Sequence, residues 1–251
     1  MTTEASIQEG EKICLDVQQL RKVYGGRSVV DGLSFNVKEG EIVGLLGPNG
    51  AGKTTAFYMT IGLIKPDGGK VSFDDVDVTH LPLYQRARMG MGYLAQESSV
   101  FRHLTVEDNI MCILENIPMS SKERKLRLEK LLNELNLTPL AKKVAAALSG
   151  GERRRLEITR ALVTNPSLLL LDEPFANIDP ITVHDVKQII RILAAKNISV
   201  LLTDHNAREI FSVVHRSYLI RDGRVIVAGT VDELINHEDA RRHYLGEAFT
   251  L

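Results

Sequence analysis

Gly47-Pro48-Asn49-Gly50-Ala51-Gly52-Lys53-Thr54-Thr55 decides how this chain is read. The stretch matches G-x-x-x-x-G-K-[ST] and stands between a short apolar run, Glu41 to Leu46, and the Pro-free segment Thr55 to Ile64, which can open a helix. Ile42-Val43-Gly44-Leu45-Leu46 has the composition of a strand buried on both faces. Three glycines let backbone N–H groups turn toward an anion without interference from Cβ, and Lys53 adds a positive charge near terminal phosphates. The Thr54 hydroxyl is then available to Mg²⁺. An ordinary glycine-rich turn accounts for the glycines but not for strand, loop and helix in this order.

Upstream, Ile13 to Val17 alternates like an edge strand, Tyr24-Gly25-Gly26 reads as a turn, and Val29 to Leu33 with Ser34 to Val37 reads as further strand. Lys65 to Gly69 stops the helix after the loop, and Lys70 to Phe73 begins another strand, so this part is locally antiparallel. A strand ends at Gly92 to Gln96, after which the sequence turns helical up to Leu148. There Ser120 to Glu123 has capping-box spacing, and Leu128, Leu131, Leu132 and Leu135 form one apolar stripe. Ser149 is a natural N-cap for a helix running toward Val163. Ser167 to Pro174, Thr182 to Ala195 and Ile198 to Thr203 then read as strand, helix and strand. Tyr218 to Val227 predicts a hairpin around Asp222-Gly223, and Thr230 to Glu233 caps a C-terminal helix. This alternation predicts an α/β fold with a mainly parallel sheet and helices on both faces.

The chain has 251 residues, enough for one large domain or two small ones. Its 31 Lys plus Arg balance 32 Asp plus Glu, which leaves no global field for nucleic acid. Cys14 and Cys112 lack metal-like spacing and read as reduced thiols of a cytosolic protein. Met1 to Lys12 is polar and acidic, without the basic start and apolar centre of a signal peptide, and residues 1–11 read as a flexible tail. No run approaches the roughly 20 apolar residues of a membrane span, so work at a membrane would be done from its surface through another protein.

Four leucines, Leu168 to Leu171, end in Asp172 and Glu173. Carboxylates are costly at the end of a buried strand unless a cation waits there, and a magnesium nucleotide supplies one. Ligands of open parallel sheets gather at the carboxyl ends of the strands, so this end and Gly47 can share a site. Asp172 would hold Mg²⁺, usually through water, and Glu173 would act as general base on the attacking water. His205 follows a neighbouring strand as a γ-phosphate contact, and Gln96, in the analogous position, could meet both Mg²⁺ and the water. Ser149-Gly150-Gly151 at a helix start is a second anion-binding end, by free N–H groups and the helix dipole.

In order and spacing these motifs resemble the nucleotide-binding subunits of ATP-binding-cassette (ABC) transporters. Gly47 to Thr54 is similar to that family's Walker A motif, Gln96 to its Q-loop, and Leu148 to Glu152 to its signature. Leu168 to Glu173 is similar to Walker B, Ala176 to Asp179 to the D-loop, and His205 to the switch histidine. The resemblance implies a P-loop NTPase core with an antiparallel β subdomain and a helical subdomain over about 97–150, all within an ATP-binding domain spanning 12–251. It also implies that Tyr24 stacks on adenine, that ATP and Mg²⁺ are bound, and that two copies sandwich two ATP molecules. Ser149, Gly150, Gly151, Glu152 and Asp179 then complete the nucleotide site. Glu152 stands where Gln is commoner, and Ala95 where Pro often precedes the Q-loop Gln.

A narrower resemblance covers nearly all the chain after the tail. Thr55 to Met59, Leu81 to Arg88, Gln96 to Arg102, Asp172 to Ala176 and Tyr244 to Phe249 are similar to the ATPase subunits of lipopolysaccharide-export systems. It implies a homodimer peripheral on the cytoplasmic face of the inner membrane, with Phe101 and Arg102 at the groove that receives the integral membrane subunits. Within the same chemistry, the ATPase of a branched-chain amino-acid importer is the alternative. A soluble non-transport ABC ATPase would want tandem cassettes or a long coiled-coil insertion, and a nucleotide-gated module that does not hydrolyse would not want Glu173 and His205.

Overall fold

The computed structural model describes residues 12–246 and Phe249; the expected tail over 1–11 and the C-terminal Glu247 and Ala248 lie outside the described residues. The chain opens with β1 (Ile13–Tyr24), β2 (Arg27–Lys38), β3 (Ile42–Leu46), α1 (Lys53–Ile61), β4 (Gly68–Phe73), β5 (Val76–Asp77), α2 (Leu83–Arg88) and β6 (Met91–Leu94). Helices α3 (Val106–Leu114), α4 (Ser121–Glu134) and α5 (Gly150–Leu162) follow. Then come β7 (Leu168–Asp172), α6 (Pro180–Ala195), β8 (Ser199–Thr203), α7 (Ala207–Phe211), β9 (Arg216–Arg221), β10 (Arg224–Thr230) and α8 (Val231–Asn236).

A six-stranded sheet has the order β10-β9-β3-β8-β7-β6, parallel from β9 to β6 with β10 antiparallel at one edge. Strands β3, β7 and β8 are buried along their whole length because both faces are covered, and their interiors are accordingly apolar. Leu169, Leu171, Val200, Leu202, Ile42 and Leu46 point into a core shared with the helices. Leu168, Leu170, Leu201, Val43 and Leu45 point into a second core shared with α1 and the other sheet. Each buried leucine contributes about 1.5–3 kcal/mol of transfer free energy, so the period-two split fixes the register of the sheet.

The second sheet, β2-β1-β4-β5, is antiparallel. Here β1 departs from expectation. It continues to Tyr24 and lies inside the sheet, paired with β2 on one side and β4 on the other. Alternation identifies a strand but carries no information about a partner that arrives some 50 residues later at Gly68. Helix α1 ends three residues short of Ile64 because Gly62 adopts φ 85° and returns its N–H to the Tyr58 and Met59 carbonyls. The expected capping boxes form at Ser120/Glu123, Ser149/Glu152 and Thr230/Glu233. The hairpin turn Asp222-Gly223 has both residues left-handed, at φ 49° and 76°. Helices α3 to α5 all lie between β6 and β7, giving a parallel core, an antiparallel sheet and a helical part.

Candidate functional site

Four loops leave the carboxyl ends of adjacent parallel strands: Gly47–Gly52 after β3, Gln96 after β6, Glu173 after β7 and Asp204-His205 after β8. The first is wedged in place. A Cβ on Gly47, which sits at φ 149°, would fall 2.1 Å from the Ile220 carbonyl oxygen of β9, and one on Gly52 (φ 97°) would fall 2.6 Å from the Val29 carbonyl oxygen. The hairpin turn closes over the loop, with the Gly223 N–H donating to the Ala51 carbonyl (3.0 Å) and the Asp31 N–H donating to the Gly223 carbonyl (3.0 Å). Pro48, Asn49 and Gly50 stay exposed at the tip, while Ala51 and Gly52 are buried.

Helix α1 starts here with no side-chain cap and no acidic residue in its first turn. Its N-terminal N–H groups and positive dipole end are left for an external anion. Lys53 is only 6% exposed. Its Nζ donates to the loop's own Gly47 and Pro48 carbonyls, at 2.7 and 3.0 Å. Burial lowers its pKa, opposed by the charges of Glu173 and Asp204, so an arriving phosphate would relieve a desolvated cation. Thr54 is exposed and Thr55 half-buried beside it.

The acid, amide and imidazole groups meet at one point. Gln96 Nε2 donates to Glu173 Oε2 at 2.9 Å, and His205 Nδ1 lies 3.6 Å from the same oxygen. Glu173 sits just beyond β7 in the left-handed region (φ 44°), and its N–H donates to the Thr203 hydroxyl at 3.2 Å. That hydroxyl in turn donates to Asp172 Oδ1 at 2.9 Å. Asp172 is 1% exposed, and its Oδ2 accepts no hydrogen bond from the described residues. A buried carboxylate oxygen without a donor fits a cation or a cation-bound water. The Tyr58 pKa is raised, first by burial and then by Asp172. Burial raises the Asp204 pKa, while the Asn206 N–H, at 2.9 Å from Oδ1, works against it.

Other expected site residues lie apart from this cluster. Tyr24 ends β1 with 48% of its surface exposed and the Lys22 ammonium 5.3 Å from its ring centre, leaving the ring available for stacking. Ser149 and Gly150 are exposed at the start of α5, and no hydrogen bond or ion pair among the described residues joins Ser149–Glu152 to Gly47–Thr55. Gly151 lies against Thr182, whose Oγ1 would be 3.0 Å from a Cβ placed there. Asp179 caps α6, accepting from the Ile181 and Thr182 N–H groups (both 3.0 Å) and the Thr182 hydroxyl (2.7 Å). Thr182 accordingly lowers its pKa. Phe101 is 51% exposed, with the Arg160 guanidinium 4.8 Å from its ring centre, and Arg102 beside it is exposed.

Three contributors carry no local sequence signal. Thr203 was legible only as the last residue of a strand, yet it bridges Asp172 and Glu173. Asn109, fully buried, accepts from the Phe101 N–H (2.8 Å) and donates to the Phe101 carbonyl (3.0 Å), fixing the backbone of that exposed residue. The Tyr244 hydroxyl donates to the His205 carbonyl at 3.0 Å across 39 residues of sequence.

The ABC transporter family model matches residues 30–176. The lipopolysaccharide export system ATP-binding protein LptB of Acidithiobacillus ferridurans is 50% identical over 237 residues, covering 94% of this chain and 98% of that protein. Among solved structures, the ADP conformation of an ABC transporter's ATP-binding cassette superposes with a TM-score of 0.84 at 27% identity, over 94% of this chain and 99% of that one. A dimeric post-hydrolysis cassette bound to ADP and Pi superposes with a TM-score of 0.75 at 26% identity, over 86% and 98%.

Proposed function

The chain belongs to the ABC transporter family as an ATP-hydrolysing cassette, and we propose that the load it drives is lipopolysaccharide, exported from the inner membrane through separate integral membrane subunits. The observation that carries the hydrolytic part is the meeting of Gln96 and His205 on one oxygen of Glu173, at the strand end next to the uncapped phosphate loop. The 50% identity with a named lipopolysaccharide-export subunit, over nearly the full length of both chains, supports the cargo.

In this reading Gly47 to Thr55 binds the β- and γ-phosphates, and Lys53 exchanges its two carbonyl partners for phosphate oxygens. Thr54, Gln96 and Asp172 would hold Mg²⁺, which when bound neutralises phosphate charge. A set of three protein oxygens is in keeping with a cation that keeps several of its waters. Glu173 takes the proton of the attacking water, Gln96 holds the carboxylate in position, and His205 contacts the γ-phosphate. Tyr24 stacks on adenine. Ser149 to Glu152 and Asp179 work at the face of a second copy, as the similarity to a dimeric ADP- and Pi-bound cassette supports. No helix among the described residues is long and apolar enough to cross a membrane. As for a cassette of this family, the chain is attached from the cytoplasmic side, with Phe101 and Arg102 passing movement to its partners.

Glu173→Gln keeps the shape and the Gln96 contact while removing the base, so turnover should fall roughly 10²- to 10⁴-fold with ATP binding retained. Wild-type turnover in that variant would sink the assignment. Gentle solubilisation of native membranes should bring down lipopolysaccharide-export membrane subunits with this chain, and recovery of amino-acid permease subunits would overturn the cargo.

A further inference from the structure

The exposed start of α5 carries a carboxylate where, in the two-copy reading above, a phosphate has to arrive. Glu152 Oε2 accepts from the Ser149 N–H (2.8 Å), and the Glu152 N–H donates to the Ser149 hydroxyl oxygen (3.2 Å). This box is good for the helix, yet its charge sits within one turn of Gly150 and Gly151 and opposes an approaching anion. A glutamine would make the same cap without the charge.

Lys143 meets that charge. Its Nζ lies 3.0 Å from Glu152 Oε2, the oxygen used in the cap, and the two side chains are 38% and 21% exposed. Its backbone is fixed from two directions. The Lys143 carbonyl accepts from the Val106 N–H at the start of α3 (3.0 Å), and its N–H donates to the Leu140 carbonyl (2.8 Å). The next residue, Val144, bridges to Thr105. Neighbouring charges are engaged elsewhere: Lys142 pairs with Glu107, Arg154 pairs with Glu157, and Arg153 donates to the Leu148 carbonyl. The Glu152 carboxyl is held below its ordinary range, first by the Ser149 N–H and then by Lys143, so it stays charged.

We propose that Lys143 is a positioning residue for ATP-driven pairing of two copies: by neutralising Glu152 it lets Ser149 to Gly151 receive the γ-phosphate held in the Gly47–Thr55 loop of the second copy. The inference rests on the two-copy reading and adds to it a residue outside every motif quoted above.

The test measures the ATP concentration for half-maximal dimerisation, by light scattering, in a Glu173→Gln background at low and at high salt. Lys143→Ala should raise it about three- to ten-fold at low salt, less at high salt, and Lys143→Arg should restore it. With Glu152→Gln present, adding Lys143→Ala should change it less than about two-fold. ATP affinity of the separated monomer and its thermal midpoint control for folding. No shift on Lys143→Ala, or the same shift with and without Glu152→Gln, overturns the inference while leaving the two-copy site intact. Failure of the parent to dimerise with ATP overturns both.

Discussion

The chain has two helix starts built for an anion, and they are prepared in opposite ways. Helix α1 begins uncapped, with no acid in its first turn, behind a loop whose glycines are pressed against the Ile220 and Val29 carbonyls. Helix α5 begins with a capping box between Ser149 and Glu152, with that acid at its third position and its first glycine facing open space. The first end is unsatisfied alone and rigidly held by distant chain. The second has its Ser149 and Glu152 N–H groups paired within the box and is held by local chain. A site whose donors are unpaired before the ligand arrives can bind it in the monomer. One whose outer donors are tied up in a cap, with a charged acid beside them, binds an anion poorly alone, which suits a wall that engages only when a second copy closes.

The largest expected contrast lies between two glycine substitutions. Gly47→Ala drives a Cβ into the Ile220 carbonyl oxygen and should cost more than about 3 kcal/mol, read as loss of folded protein or of its thermal transition. Gly150→Ala adds a methyl to open space at a helix start, so stability should hold within about 0.5 kcal/mol while ATP-driven dimerisation weakens. Equal stability losses would erase the distinction between the two ends. Next in size, Lys53→Ala should leave the fold standing but reduce monomer ATP affinity by about 100-fold or more by equilibrium titration, since it removes the one buried cation of the loop. Ser149→Ala should cost about 1 kcal/mol through the lost cap and should not change monomer ATP affinity.

The sequence makes the two ends unequally legible, and for a physical reason. Phosphate loop, capping boxes, the Asp222-Gly223 hairpin and the buried strands are local patterns, each set by a few neighbouring residues, and the structure has them in place. Partnership across the chain is another matter. Nothing near Ile13 says that β1 is flanked on both sides, and nothing near Gly223 says that its N–H holds the phosphate loop. Alternation does not reveal that Thr203 ties Asp172 to Glu173, and the helical signal of α3 does not reveal that Asn109 holds the backbone of Phe101. Asp179, readable as a site residue by resemblance, also proves to be the cap of α6. The short helices α2 and α7 are below the length at which periodicity can be read.

The smallest expected effect probes how far the distant support of the first end reaches. Tyr244 sits in the turn Arg241–Leu245 after α8 and donates its hydroxyl to the His205 carbonyl at 3.0 Å. Burial raises its pKa first, the Asp204 charge adds to that, and the Gly47 backbone acts in the opposite direction. Tyr244→Phe keeps the ring and removes one hydrogen bond, worth about 0.5–1.5 kcal/mol. If that bond holds the His205 loop in register with Gly47, kcat should fall about two- to five-fold while the KM for ATP moves less than two-fold. The Glu173→Gln background should then show unchanged dimerisation. A lower thermal midpoint with kcat unchanged would make Tyr244 an anchor for the C-terminal turn alone, and the distant support of the first end would stop at the β9–β10 hairpin.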